Sequence, residues 1–219
     1  MVIMKVKGDI TMKPKEVLQV LEETGALLNG HFELRSGLHS DRYFQCANIL
    51  RYPRVAGKLC GALVEKMHEA ISDDLSVNGV IAPALGGIIV GYEIARALDP
   101  PSPRAPHAVS GLRRTSVCSI FVEKEGGALA LRRFKINEGE RFIVAEDVVT
   151  RGGRVQETVN IVEGRGGKVV AIAVLVDRSG GSAKFNYPTF SLIQIEPTTW
   201  EPDKCPLCEK GIPLVHPGS

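Results

Sequence analysis

From Gly79 onward the chain keeps one rhythm, short apolar strand segments alternating with helical stretches. That rhythm limits the possible folds more than any other feature. Gly79 to Ala82 reads as a strand and Gly87 to Leu98 as a helix. Thr115 to Glu123 reads as a strand, and Ala128 to Arg132 as a segment that pairs with it across Gly126-Gly127. Arg141 to Ala145 is the next strand and Arg154 to Glu163 the next helix. Lys168 to Val176 is so rich in β-branched and apolar residues that both faces of this strand must be covered. Phe190 to Ile195 adds one more strand. The alternation implies βαβ crossovers, hence an α/β fold with a mostly parallel central sheet flanked by helices. Such sheets bind ligands beyond the carboxyl ends of their strands, so the loops after Ala82, Ala145 and Val176 are where a site is expected.

The N-terminal quarter reads differently. Lys13 to Thr24 is helical, with Val17, Leu18 and Leu21 on one face, Pro14 in the first turn and Gly25 as the stop. Ala26 to Leu50 reads as extended segments broken by Gly30 and Gly37. Pro53 to Glu69 is a second helix, with Val55, Leu59, Leu63 and Met67 at helical spacing. Pro100 to Pro106 reads as a surface connection. The 219 residues fit a single domain. A net charge of +2 argues against a nucleic-acid partner held by bulk charge. The longest apolar runs, such as Val169 to Val176, fall short of the roughly 20 residues needed to cross a bilayer, so no membrane is expected. Met1 to Thr11 lacks a continuous apolar region and a small-residue cleavage site, so the expected location is cytoplasmic. Of five cysteines, Cys46, Cys60 and Cys118 read as reduced, buried thiols. Cys205-x-x-Cys208 is open to two readings, half of a zinc site or a structural tail. With His216 alone nearby and no suitably spaced His pair, the tail is the favoured one.

One segment carries chemistry. An apolar strand, Phe142-Ile143-Val144-Ala145, delivers two adjacent acids, Glu146 and Asp147. Val148 and Val149 follow, then Thr150, Arg151, Gly152, Gly153 and Arg154, where a helix starts. The glycines let the backbone take positive φ and approach a ligand. Backbone N–H groups of the turn and of the helix N-terminus form an anion site, to which Thr150 and Arg151 add donors. The acids repel a phosphate but suit hydroxyls or a metal. Phosphate donors beside diol acceptors describe a ribose 5-phosphate. The glycines of Gly164-Arg165-Gly166-Gly167-Lys168 are not a Walker loop, since the first glycine and the following Ser/Thr are missing; a helix stop explains them.

The apolar run, acid pair, Val-Val-Thr and Gly-Gly together resemble the phosphoribosyl-pyrophosphate (PRPP) signature of the type I phosphoribosyltransferases. Gly30-His31-Phe32-Glu33-Leu34-Arg35-Ser36-Gly37-Leu38-His39-Ser40, with Tyr43-Phe44, is similar to the N-terminal signature of the orotate-specific branch. The tail from Cys205-Pro206-Leu207-Cys208 to Pro217-Gly218 is similar too, so the resemblance covers nearly the whole chain. It implies the type I phosphoribosyltransferase fold over residues 1–219. Residues 1–50 and the C-terminal tail would form a small hood over the base site. It also implies transfer of phosphoribose from PRPP to orotate with Mg²⁺ in pyrimidine synthesis, by a homodimer. Asp147 is the residue placed to meet that Mg²⁺, which otherwise arrives through the donor's phosphates.

Residue by residue, the resemblance matches Arg178 and Thr150 to orotate contacts, and Tyr43 and Phe44 to an aromatic pair beside the base. An Arg suits a planar carboxylate; a surface Asp177-Arg178 ion pair is the plainer alternative. Arg35 stands near the expected diphosphate, and the turn from Glu146 to Arg154 would bind PRPP. Ala84, Leu85, Gly86 and Gly87 would meet the pyrophosphate through backbone N–H groups, with Gly86 where relatives often carry Lys. In the lid that relatives close over the neighbouring subunit's site, Lys124 remains as the catalytic candidate, while a second Lys and a His are missing. Arg132 and Arg133 are the nearby cations, and Lys124 as a solvated hairpin charge stays open. A purine or uracil phosphoribosyltransferase, or a regulator that senses the donor without turning it over, are the remaining alternatives.

Overall fold

The computed structural model describes residues 12–34, 36–71, 75–99 and 116–217. Arg35, Met1 to Thr11 and Pro100 to Pro106 lie outside the described residues.

Helix α1 (Pro14–Glu23) begins where the Glu16 carboxylate accepts the Lys13 N–H at 2.8 Å, and stops at Gly25 with φ +68°. Two antiparallel strands follow, β1 (Leu27–Glu33) and β2 (His39–Phe44), then a short helix α2 (Ala47–Leu50) and the long α3 (Pro53–Ile71). The regular alternation then begins: β3 (Gly79–Pro83), α4 (Gly86–Leu98), the hairpin β4 (Cys118–Glu125) and β5 (Ala128–Ala130), β6 (Arg141–Val149), α5 (Gly153–Gly164), β7 (Lys168–Asp177) and β8 (Thr189–Gln194). These strands form one sheet in the order β5-β4-β3-β6-β7-β8, parallel throughout except for the β4–β5 hairpin.

As expected from its composition, β7 is covered on both faces. Ala171, Ala173 and Leu175 pack into a core shared with Leu59, Leu63 and Ile94 of α3 and α4; Val169, Ile172 and Val174 pack into a second core with Val155, Val159 and Val162 of α5. The sheet is therefore the middle of three layers, and its C-terminal rim is open for a site.

Two segments differ from their expected form. The stretch from Ala26 to Leu50 is not extended throughout. Its last four residues form α2, and Gly30 lies inside β1, where the register slips between Asn29 and Phe32 instead of breaking. The strand expected to end at Ala145 runs on to Val149, because Glu146, Val148 and Val149 pair with Val174, Val176 and Asp177 of β7. Acidic residues are poor strand formers, so their own preference pointed to an end there; the ladder to a buried neighbour overrides it.

A second, smaller sheet joins the two ends of the chain. The two-residue strand β9 (Thr199–Trp200) pairs with β2. A turn at Pro202–Lys204 and the short helix α6 (Pro206–Glu209) then bring the tail back to β1, where Val215 exchanges hydrogen bonds with Glu33 and His31 at 3.0 and 2.9 Å. That closure overturns the reading that no His pair is available to Cys205 and Cys208, since His31 and His39 face them. Among the described residues, no helix is long and apolar enough to cross a membrane.

Candidate active site

Strands β3, β6 and β7 lie side by side and end at the same rim, so their loops converge. The turn after β6 is the most built. Gly152 caps α5 with φ +77°, the left-handed conformation a side chain resists. Its missing Cβ would lie 2.7 Å from the Phe185 ring, so a side chain has no room either. Gly153 is the first helical residue with nothing near a Cβ, so of the two glycines only Gly152 is required by the backbone. The segment from Val148 to Val155, with Glu146, lines a cavity of about 200 Å³. The first turn of α5 lines it, and a helix leaves its first-turn N–H groups without internal acceptors. Thr150 and Arg151 sit exposed on its lip.

The acid pair stands near the C-terminal end of β6, and both carboxylates come up against the loop after β3. Glu146 is buried, and burial, then the neighbouring Asp147 carboxylate, pushes its pKa up to about 8. Asp147 is half-buried; its Oδ1 accepts the Val148 N–H at 2.8 Å. Its other oxygen lies over Gly86, where a Cβ would collide with it. Gly86 is thus needed for space as well as for the loop. On Gly87 a Cβ would come within 3.2 Å of Ala82, Pro83 and Glu146. This close approach is the structural reason for two glycines in the loop after β3. Helix α4 starts at Gly86 and Leu85 is wholly outward, so Ala84 to Gly87 present backbone rather than side chain to the rim.

The loop after β7 places Arg178. Its guanidinium lies over the Phe44 ring, 4.7 Å from the centroid, and its Nε is buried with no hydrogen-bond partner among the described residues. The expected alternative, an Asp177–Arg178 ion pair, does not form. Asp177 instead accepts the Ser179 N–H at 2.8 Å and the Gln194 amide at 3.2 Å. Phe44 is core on one side and roof of Arg178 on the other, and half-buried Tyr43 leans on Phe32 with ring centroids 5.8 Å apart. Cys46, buried below, feels the charges of Asp147 and Arg178 together and its thiol is pushed far up, mainly by burial. Aromatics, arginine and acid pair therefore belong to one neighbourhood.

Lys124 lies near the tip of the β4–β5 hairpin and lines a second cavity, of about 230 Å³, with Ala84, Leu129 and Arg154. Arg132 and Arg133 turn back onto their own hairpin, pairing with Glu125 at 3.3 Å and Glu123 at 2.8 Å. Arg154 is more than a helix-starting surface charge. It donates to the Ala84 carbonyl, and its Nε lies 3.9 Å from Glu146 Oε2, so it spans both cavities. Nothing local in the sequence shows that the loop after β3 lies within its reach.

The family model for the phosphoribosyl transferase domain matches residues 47–210. A curated orotate phosphoribosyltransferase of Desulforamulus reducens is 43% identical over 209 residues, covering 95% of this chain and 98% of its own. That of Caldicellulosiruptor bescii is 44% identical over 210 residues, with 95% and 98% covered. Among solved structures, orotate phosphoribosyltransferase from Aeropyrum pernix superposes with a TM-score of 0.61 at 23% identity, over 82% of this chain and 93% of that one. Adenine phosphoribosyltransferase from Saccharomyces cerevisiae gives 0.59 at 18% identity, over 80% and 99%. At these identities the structures speak for the fold alone.

Proposed function

This chain belongs to the orotate phosphoribosyltransferases of the phosphoribosyl transferase family, and from that premise we propose that it transfers phosphoribose from PRPP to orotate, giving orotidine 5′-phosphate and pyrophosphate. The observation that carries the base assignment is Arg178: a half-buried guanidinium whose buried Nε has no partner among the described residues, stacked on an aromatic ring one residue past the strand beside the acid pair. A planar pyrimidine bearing a carboxylate gives that arginine a charged, bidentate partner, whereas a neutral purine or uracil offers at most a carbonyl and no countercharge. Tyr43 and Phe44 flank the ring, and Thr150 bridges base and phosphate. The three-stranded sheet and tail act as the hood over this base.

The 5-phosphate occupies the 150–154 turn, held by N–H groups of α5 and by Arg151. Glu146 and Asp147 take the ribose hydroxyls. With its pKa near 8, Glu146 keeps its proton at neutral pH and can donate to one hydroxyl while Asp147 accepts from the other. The diphosphate lies along Ala84 to Gly87, within reach of Lys124 and Arg154. As pyrophosphate leaves the anomeric carbon, positive charge builds on the ribose and the orotate ring nitrogen attacks the same carbon. Asp147 fits a hard cation, since one of its oxygens faces the diphosphate loop; Mg²⁺ would supply charge neutralisation for the leaving group. Closure of the β4–β5 hairpin excludes the water that would hydrolyse the donor. The working form is a homodimer in the cytoplasm.

A steady-state assay with PRPP and Mg²⁺ against a panel of bases tests the substrate. Orotate should be turned over. Turnover of guanine, hypoxanthine or uracil in its place would remove Arg178 from the assignment.

A further inference from the structure

The second cluster of chemistry lies away from the sheet rim, where the small sheet meets the tail. His31 Nε2, His39 Nδ1, Cys205 Sγ and Cys208 Sγ all lie within 4.8 Å of one another. The two nitrogens are 3.0 Å apart, Cys205 Sγ is 3.4 Å from His31 Nε2, and Cys208 Sγ is 3.3 Å from His39 Nδ1 and 3.7 Å from His31 Nε2. A tetrahedral zinc with ordinary bond lengths sets its ligands about 3.4 Å apart for two nitrogens, about 3.6 Å for nitrogen and sulfur, and about 3.8 Å for two sulfurs. Four of the six edges thus lie within about 0.4 Å of those of such a tetrahedron, and the other two are no longer than 4.8 Å.

The surroundings are arranged for a ligand role. His31 Nδ1 lies 2.8 Å from the Ile212 carbonyl, an acceptor that can only take a proton. The ring must therefore carry its hydrogen on Nδ1 and present the Nε2 lone pair to the cluster, the orientation in which a metal-bound imidazole is normally held. His31, His39 and Cys205 are 2%, 5% and 1% exposed, and Cys208 closes the outer side. Two such imidazoles and a thiol facing one another away from water satisfy only some of their donors and acceptors among themselves. Four protein ligands leave no open corner, which marks a structural ion, and a two-nitrogen, two-sulfur tetrahedron favours zinc.

We propose that His31, His39, Cys205 and Cys208 bind one structural zinc ion that staples the tail to the β1–β2 hairpin. The ligands span up to 177 residues of sequence, so the ion closes almost the whole chain into a loop. It does so at the sheet that carries Tyr43 and Phe44. In a chain whose hood is only three short strands, such a crosslink replaces core that the sheet is too small to supply.

The test uses the full chain, purified without a histidine tag, and reads metal content and melting temperature. Elemental analysis should find about one zinc per chain. Cys208→Ser, at the exposed corner where the change only exchanges sulfur for oxygen, should lose it, and His39→Gln should do the same. Stripping wild type with a chelator should lower Tm by about 5–10 °C, reversed by Zn²⁺ and not by Mg²⁺. Co²⁺ in place of zinc should give tetrahedral ligand-field bands and a thiolate charge-transfer band that Cys208→Ser weakens. Wild type that holds no more zinc than Cys208→Ser after reconstitution, with Tm indifferent to Zn²⁺, would overturn the proposal in favour of a hydrogen-bonded cluster. So would loss of two titratable thiols to a Cys205–Cys208 disulfide in the native protein.

Discussion

Arg178 leaves the end of β7 with its guanidinium 4.7 Å from the Phe44 ring and its Nε unpartnered among the described residues. Burial opposes its charge, so an incoming carboxylate relieves a cost the free protein carries. Arg178→Ala should therefore raise the KM for orotate by roughly 10–100-fold, the worth of one charge-assisted pair, and leave the KM for PRPP within a few-fold. Steady-state kinetics with each substrate varied in turn decides it, and the reverse ordering would reassign the residue. Glu146 makes a prediction in pH. Below its ordinary value of 4.5 the carboxyl is protonated in folded and unfolded chains alike. Between 4.5 and about 8 the unfolded chain sheds a proton that the fold retains, so stability is lost as pH rises across that window. Glu146→Gln removes the titration. Without ligands its Tm should gain on wild type from pH 5 to pH 8, by the equivalent of about 2–4 kcal/mol. Parallel curves would show that Glu146 titrates as it does in water. The sequence signalled both residues by type and position. It did not signal that Asp177 turns away from Arg178, or that Asp147 lies over Gly86, because those depend on neighbours far along the chain.

At the scale of the element, β6, its turn and α5 form the unit that was most legible. A strand, two acids, a hydroxyl and a glycine pair in this order leave few structures to choose among. What the pattern could not separate was the two glycines. Gly152→Ala forces a methyl into a left-handed position against Phe185, and should cost about 1–3 kcal/mol and raise the KM for PRPP as the cradle deforms. Gly153→Ala, at a helical position with open space, should be neutral or stabilising by about 0.5 kcal/mol. Chemical denaturation of the two variants side by side checks this; equal losses would mean that the turn adapts and that the positive φ is not required. The elements that escaped the sequence are the ones without internal periodicity. The helix α2 has four residues and β9 has two, too few for either period to register. The end of β6 escaped for another reason: its acids are held in a strand by pairing with β7, and no local preference reports a ladder.

For the whole molecule, the sheet order puts the β4–β5 hairpin on the far side of β3 from Arg178 and the acid pair. Lys124 near its tip shares a cavity with Ala84 and Arg154, at the edge of its own site. From there the exposed hairpin can close over its own site or reach into a partner's, and the proposed homodimer has it do the second. Complementation separates the two geometries. Lys124→Ala and Asp147→Asn should each lower kcat by roughly 100-fold or more, since each removes a group proposed to act on charge in the transition state. Co-expressed and randomly assorted, half of the dimers are hybrids. If the hairpin crosses, a hybrid has one site with both lesions and one with neither, and activity returns to about a quarter of wild type. If the hairpin serves its own site, every site in the mixture carries one lesion and the mixture stays as inactive as its parents. Recovery that disappears on dilution would further tie the active site to the dimer, because separated protomers cannot lend each other a lysine.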